Sequence, residues 1–132
     1  MKKINLLLLA LVVLVGTSFG QGAKKAEWAE MKAFHSLMAA TFHPAEEGNL
    51  VPLKEKAGDL YKASKNWYAA EIPADFKAEE TKAALEKLMI KCSDLWAAVS
   101  EKKDDKDITT MITEAHDLFH KVAGECRKPA DH

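Results

Sequence analysis

The stretch WAEMKAFHSLMAATFHP, residues 28–44, decides how this chain folds. Within it Trp28, Met31, His35, Met38 and Phe42 recur at alternating steps of three and four, which keeps them on one stripe of an α-helix. Pro44 is expected to stop that helix at His43, because a proline lacks the N–H that continues the ladder. His35 stands inside the apolar stripe. A histidine there loses solvation unless a hydrogen-bond acceptor, a metal ion or a haem iron engages its ring nitrogens.

Working outward, three more periodic segments follow. Asn49 is a plausible N-cap and Pro52 suits a first turn, before Leu53, Ala57, Leu60, Ser64 and Trp67 repeat the spacing. Asp75 is placed to cap a third helix that carries Leu85, Leu88, Met89, Cys92, Leu95, Trp96 and Val99. Asp107 is placed to cap a fourth, with Ile108, Ile112, Ala115, Phe119 and Val122 as its stripe, Gly124 weakening its end and Pro129 closing it. The helices are expected over about 25–43, 49–70, 76–101 and 107–126. Connections this short turn each helix back on the last, so the fold expected is all-α, an up-down-up-down antiparallel four-helix bundle.

Residues 1–20 read as an address rather than as part of the fold. Lys2 and Lys3 precede a nearly continuous apolar run from Ile4 to Val15, and Ser18-Phe19-Gly20 offers small residues where a signal peptidase cuts. Cleavage is expected after Gly20. That leaves 21–132 as one domain, periplasmic or secreted, with no cysteine at the cut to carry a lipid and no membrane association after cleavage. Without Lys2 and Lys3, 17 basic residues remain against 20 acidic ones. The two signs alternate along segments such as Lys54 to Lys62, the pattern of solvated helix faces. Nucleic acid is therefore not an expected partner.

Matching residues by height across antiparallel helices sets 35 opposite about 57, 57 opposite about 91, and 92 opposite about 114, at 1.5 Å rise per residue. One layer then holds His35, Ala57, Cys92 and Ala115 or His116. The first and last helices bring 35 near 115 and 31 near 120. Met31, His35, His116 and His120 thus gather within about two turns, and His116 and His120, at i and i+4, point the same way from one helix. Imidazoles with a thioether or a thiolate suit copper or zinc rather than magnesium or calcium. The expected metal ligands are His35, His116 and His120, with Met31 or Cys92 completing the set. His43, Glu46 and Glu47 form a separate surface cluster that could hold an ion. Cys126 lies about twelve residues past the level of Cys92, roughly 18 Å, too far for a disulfide, so both thiols are expected free.

This layout resembles the cytochrome b562 family and, more distantly, the cytochrome c-prime family, which are exported four-helix bundles of similar length. In the b562 family a methionine early in the first helix and a histidine late in the last hold a haem iron. The resemblance implies that Met31, in Glu27-Trp28-Ala29-Glu30-Met31, and His120, in Asp117-Leu118-Phe119-His120-Lys121, would ligate a b-type haem for electron transfer. The c-prime family attaches haem through CxxCH, which this chain lacks, and His35 and His116 are extra to the b562 pattern.

The leading expectation is an exported metal-binding bundle serving metal handling or sensing. The alternatives are a b-type cytochrome and a structural bundle, with no ligand, that docks a periplasmic protein partner. An enzyme is not expected, since no nucleophile, base and orienting group fall into a recognisable arrangement.

Overall fold

A computed structural model describes residues 28–129, and the expected leader at 1–20 lies outside them. The described chain is all-helical: α1 (Ala29–Glu46), α2 (Val51–Ala69), α3 (Ala78–Ser100) and α4 (Asp105–His120), the last running on into a π-helical turn at Lys121–Glu125. Consecutive helices pack on one another and α1 packs on α4, which makes a four-helix bundle. No strand occurs among the described residues, where a single isolated bridge pairs Phe76 with Arg127. No described helix is long and apolar enough to cross a membrane.

The helix ends differ from expectation, each for a local reason. Pro44 does not stop α1, which continues to Glu46. Near a C-terminus proline forfeits only one ladder bond, and the terminator is Gly48, whose φ of +91° the other residue types rarely adopt. Gly48 N–H donates to the Ala45 carbonyl and Asn49 N–H to that of Pro44, the Schellman pattern that satisfies the last carbonyls. Asn49 is not the cap residue of α2 but serves it from one position earlier, its Oδ1 accepting from Val51 N–H at 3.1 Å. Asp75 does not cap α3, which starts at Ala78 after Lys77. Its carboxylate is drawn instead to Arg127, 3.1 Å away, and its carbonyl accepts from Lys128 N–H. Asp107 lies inside α4, behind Asp104 at the cap position; Asp105 and Asp107 both sit in the first turn, where the helix dipole favours acids.

α3 ends in a second Schellman turn, with Lys102 N–H on the Val99 carbonyl and Lys103 N–H on that of Ala98. Here the left-handed position is filled by Lys102, at φ +59°. A side chain in that region costs on the order of 1 kcal/mol. Lys102→Gly is therefore expected to stabilise the protein by about that amount, read as a higher urea midpoint with an unchanged m-value.

The core is close to the expected stripes on two helices and shifted on the others. On α2 the buried residues are Leu53, Ala57, Leu60, Ser64 and Trp67, and on α4 Ile108, Ile112, Ala115 and Phe119, as the periodicity predicts. On α1 the buried set is Phe34, Met38, Thr41, Phe42 and Ala45. Phe34 takes the centre of the stripe, leaving Met31 half-buried and His35 exposed. The larger apolar ring wins the interior, and the histidine one residue on is turned about 100° away. On α3, Trp96 is 40% exposed. Its indole lies across Gly58 of α2, where a Cβ would come within 3.0 Å of the ring.

One end of the bundle is aromatic: Trp67 meets the rings of Trp28, Phe34 and Phe119 at centroid separations of 5.5–5.9 Å. The segment after the π-helical turn closes over that end. Lys77 N–H donates to the Cys126 carbonyl at 2.8 Å, and the Arg127 guanidinium lies 4.6 Å over the Phe76 ring.

Candidate functional site

Four of the chain's five histidines line one cavity of about 190 Å³ between α1 and α4. His35 and His43 come from α1, His116 and His120 from α4, and Met38, Ala39, Phe42 and Phe119 complete the wall. Each of these histidines directly follows a buried apolar residue, namely Phe34, Phe42, Ala115 and Phe119. A step of one residue turns a side chain about 100° from the core to the flank of its helix. The two flanks meet at the α1–α4 seam.

Ring stacking fixes two of the four. The His116 imidazole lies on the Phe42 ring with centroids 3.8 Å apart and planes within 11° of parallel. His35 stacks on Phe119 at 5.0 Å and 12°. These contacts set the register between the two helices. His35 meets Phe119 rather than Ala115, one helical turn from the expected level.

His116 and His120 face each other edge to face, with their Nε2 atoms 3.1 Å apart. At that distance one ring donates and the other accepts, so at most one of the two Nε2 atoms carries a proton. Burial, and next the neighbouring His120, hold His116 below the usual imidazole range; Asp117 and Glu46 pull it the other way. A neutral imidazole offers a lone pair to a metal. With metal–nitrogen bonds of about 2.0–2.1 Å, two nitrogens 3.1 Å apart subtend about 100° at one ion, between square and tetrahedral coordination.

The remaining candidates lie elsewhere. Met31 packs half-buried against the core and is not among the residues lining the cavity. Cys92 is fully buried on α3 and hydrogen-bonds Ser64; its thiol is pushed up to about 12 by burial. Cys126 is buried as well, and both cysteines are free. His43 pairs its Nδ1 with Glu46 Oε1 at 3.5 Å, both side chains well exposed; His43 lines the histidine cavity, and Glu46 stands beside it outside the lining. Glu47 is exposed at the C-cap of α1. Among the described residues no three of His, Cys, Asp and Glu converge in a geometry ready to hold one ion.

Two features of the wall escape the stripe reading. Phe42, expected only as packing, is the platform under His116, and Phe119 plays the same part for His35. The signal was present as the dipeptide Phe-His, which occurs at 34–35, 42–43 and 119–120.

Comparison of the chain with family models, with curated proteins and with solved structures finds no match.

Proposed function

We propose that this chain is an exported, up-down-up-down antiparallel four-helix bundle that binds a transition metal ion of the copper or zinc class for metal handling or sensing. The observation that carries the reading is the His116–His120 pair, with its Nε2 atoms 3.1 Å apart on the wall of a four-histidine cavity. His35 and His43, from the facing helix, line the same cavity. Short connections support the topology. So do the cross-helix pairs of Lys54 with Asp105, Lys91 with Glu114, and Lys82 with the Tyr68 carbonyl, which join residues at matching heights. The export reading rests on residues 1–20 alone.

An imidazole pair without thiolate favours zinc, copper(II) or nickel over the hard cations magnesium and calcium. A haem held by Met31 and His120 is the competing proposal. It fits the cavity poorly, since about 190 Å³ lies below the roughly 300 Å³ at which pockets for drug-sized molecules begin, and Met31 does not line it. Elemental analysis and an absorption spectrum of protein purified from its own host test both. One equivalent of zinc or copper, lost in His116→Ala and in His120→Ala, is the expected result. A Soret band abolished by Met31→Ala and His120→Ala would replace the metal with haem, and neither signal would leave a bundle without a bound ion.

A further inference from the structure

The His116–His120 pair supplies two ligands, and a structural or exchangeable zinc-class site takes at least a third from the protein. Across the cavity α1 carries two further imidazoles, His35 and His43. His35 is committed to its stack on Phe119, with the planes 12° apart. His43 is not so held. Its side chain is 67% exposed, and its ring contact is a loose, tilted one with Phe42 at 5.9 Å. Phe42 is the same ring on which His116 lies, so His43 and His116 flank a common platform.

A carboxylate also stands beside the His43 ring. Nδ1 faces the Glu46 carboxylate at 3.5 Å, one turn on along α1. Ligating histidines commonly donate their free N–H to a carboxylate, which fixes the tautomer and leaves the opposite nitrogen for the metal. A proton on Nδ1 directed at this carboxylate is the arrangement that offers Nε2 to an ion. The Glu46 carboxylate acts on His116 as well, which puts it within electrostatic reach of that ring.

Resting on the metal-binding reading above, we infer that His43 Nε2 is the third ligand of an ion bridging α1 and α4, with Glu46 as the positioning residue behind it. A turn of the exposed His43 side chain toward the cavity closes the set. The site is then three neutral imidazoles on a divalent ion of the zinc or copper(II) class, with a fourth position open to water or to an exchanging donor. Ligation from two helices makes the ion a clamp across the α1–α4 seam.

The test titrates zinc into metal-stripped protein by chelator competition and counts nitrogens on bound copper(II) by electron paramagnetic resonance. His43→Ala is expected to weaken zinc binding by at least the roughly 10–100-fold that loss of an outer partner costs, and to reduce the copper nitrogens from three to two. Glu46→Ala is expected to lose about 10-fold while keeping three nitrogens, and Glu46→Gln, whose amide oxygen still accepts from Nδ1–H, to recover part of that loss. Both positions are exposed, so helix content by circular dichroism is expected to be unchanged in all three variants. Wild-type affinity in His43→Ala, or a loss of the third nitrogen in His35→Ala instead, overturns this inference and leaves the His116–His120 site standing. Failure of the unaltered protein to bind zinc or copper(II) overturns both.

Discussion

Trp67→Ala is expected to cost about 3–5 kcal/mol, a large part of the stability of a domain this size. Trp67 is fully buried near the end of α2 and touches the rings of Trp28, just before α1, Phe34 of α1 and Phe119 of α4, so its removal opens a cavity that these three aromatic neighbours cannot fill without leaving their own contacts. Its indole N–H has no hydrogen-bond partner among the described residues. Trp67→Phe discards that unpaired donor and keeps most of the ring, so it is expected to cost less than half as much. Urea unfolding followed by circular dichroism separates the two. A loss below about 1 kcal/mol for the alanine variant would mean that this end of the bundle is not packed as described. The effect reaches the histidine cavity, because Phe119 is both a neighbour of Trp67 and the platform for His35.

The fold was legible because period carries it. Leu53, Ala57, Leu60, Ser64 and Trp67 are all buried, and so are Ile108, Ile112, Ala115 and Phe119, since on these helices a single stripe of spacing three and four has no apolar rival beside it. On α1 two stripes compete, one through Met31 and His35 and one through Phe34 and Thr41. Spacing alone does not choose between them. Volume does, and Phe34 is larger and wholly apolar, so His35 moves to the rim. The helix ends were less legible. Asp75 and Asn49 are good caps in isolation, yet the first is taken by Arg127, 52 residues away, a partner that no local rule sees.

The candidate site was half legible. The i, i+4 spacing of His116 and His120 on one helix brings their side chains together whatever the rest of the fold does, and their nitrogens do meet. Residues on different helices depend on register, and register here is set by stacking of Phe42 on His116 and of Phe119 on His35. Height arithmetic from the loops misses by a turn or more because each loop adds its own uncertainty, while α1 also runs three residues past its expected end. That slip is what draws His43 into the cavity and leaves Met31 outside its lining.

Cys92 gives the second large effect, a pH dependence of stability. Burial pushes its thiol up from an ordinary 9.0 to about 12, with the Ser64 hydrogen bond only partly offsetting it. Between those values the unfolded chain releases the thiol proton and the folded chain retains it, so stability is full below pH 9 and falls as pH rises. From pH 8 to pH 11 the loss is on the order of 2 to 3 kcal/mol. Lysines and tyrosines titrate over the same range, so the quantity to measure is the difference in unfolding free energy between the protein and Cys92→Ala, which removes the thiol and nothing else that ionises. That difference is expected to shift by roughly 2 to 3 kcal/mol against the wild type across the interval, and a difference independent of pH would overturn the burial of the thiol. The same result bears on the metal. A cysteine ligates as the thiolate, so recruiting Cys92 would mean stripping a proton from a group that holds it up to about pH 12 in the middle of the core. Neutral imidazoles at the α1–α4 seam ask for no such ionisation.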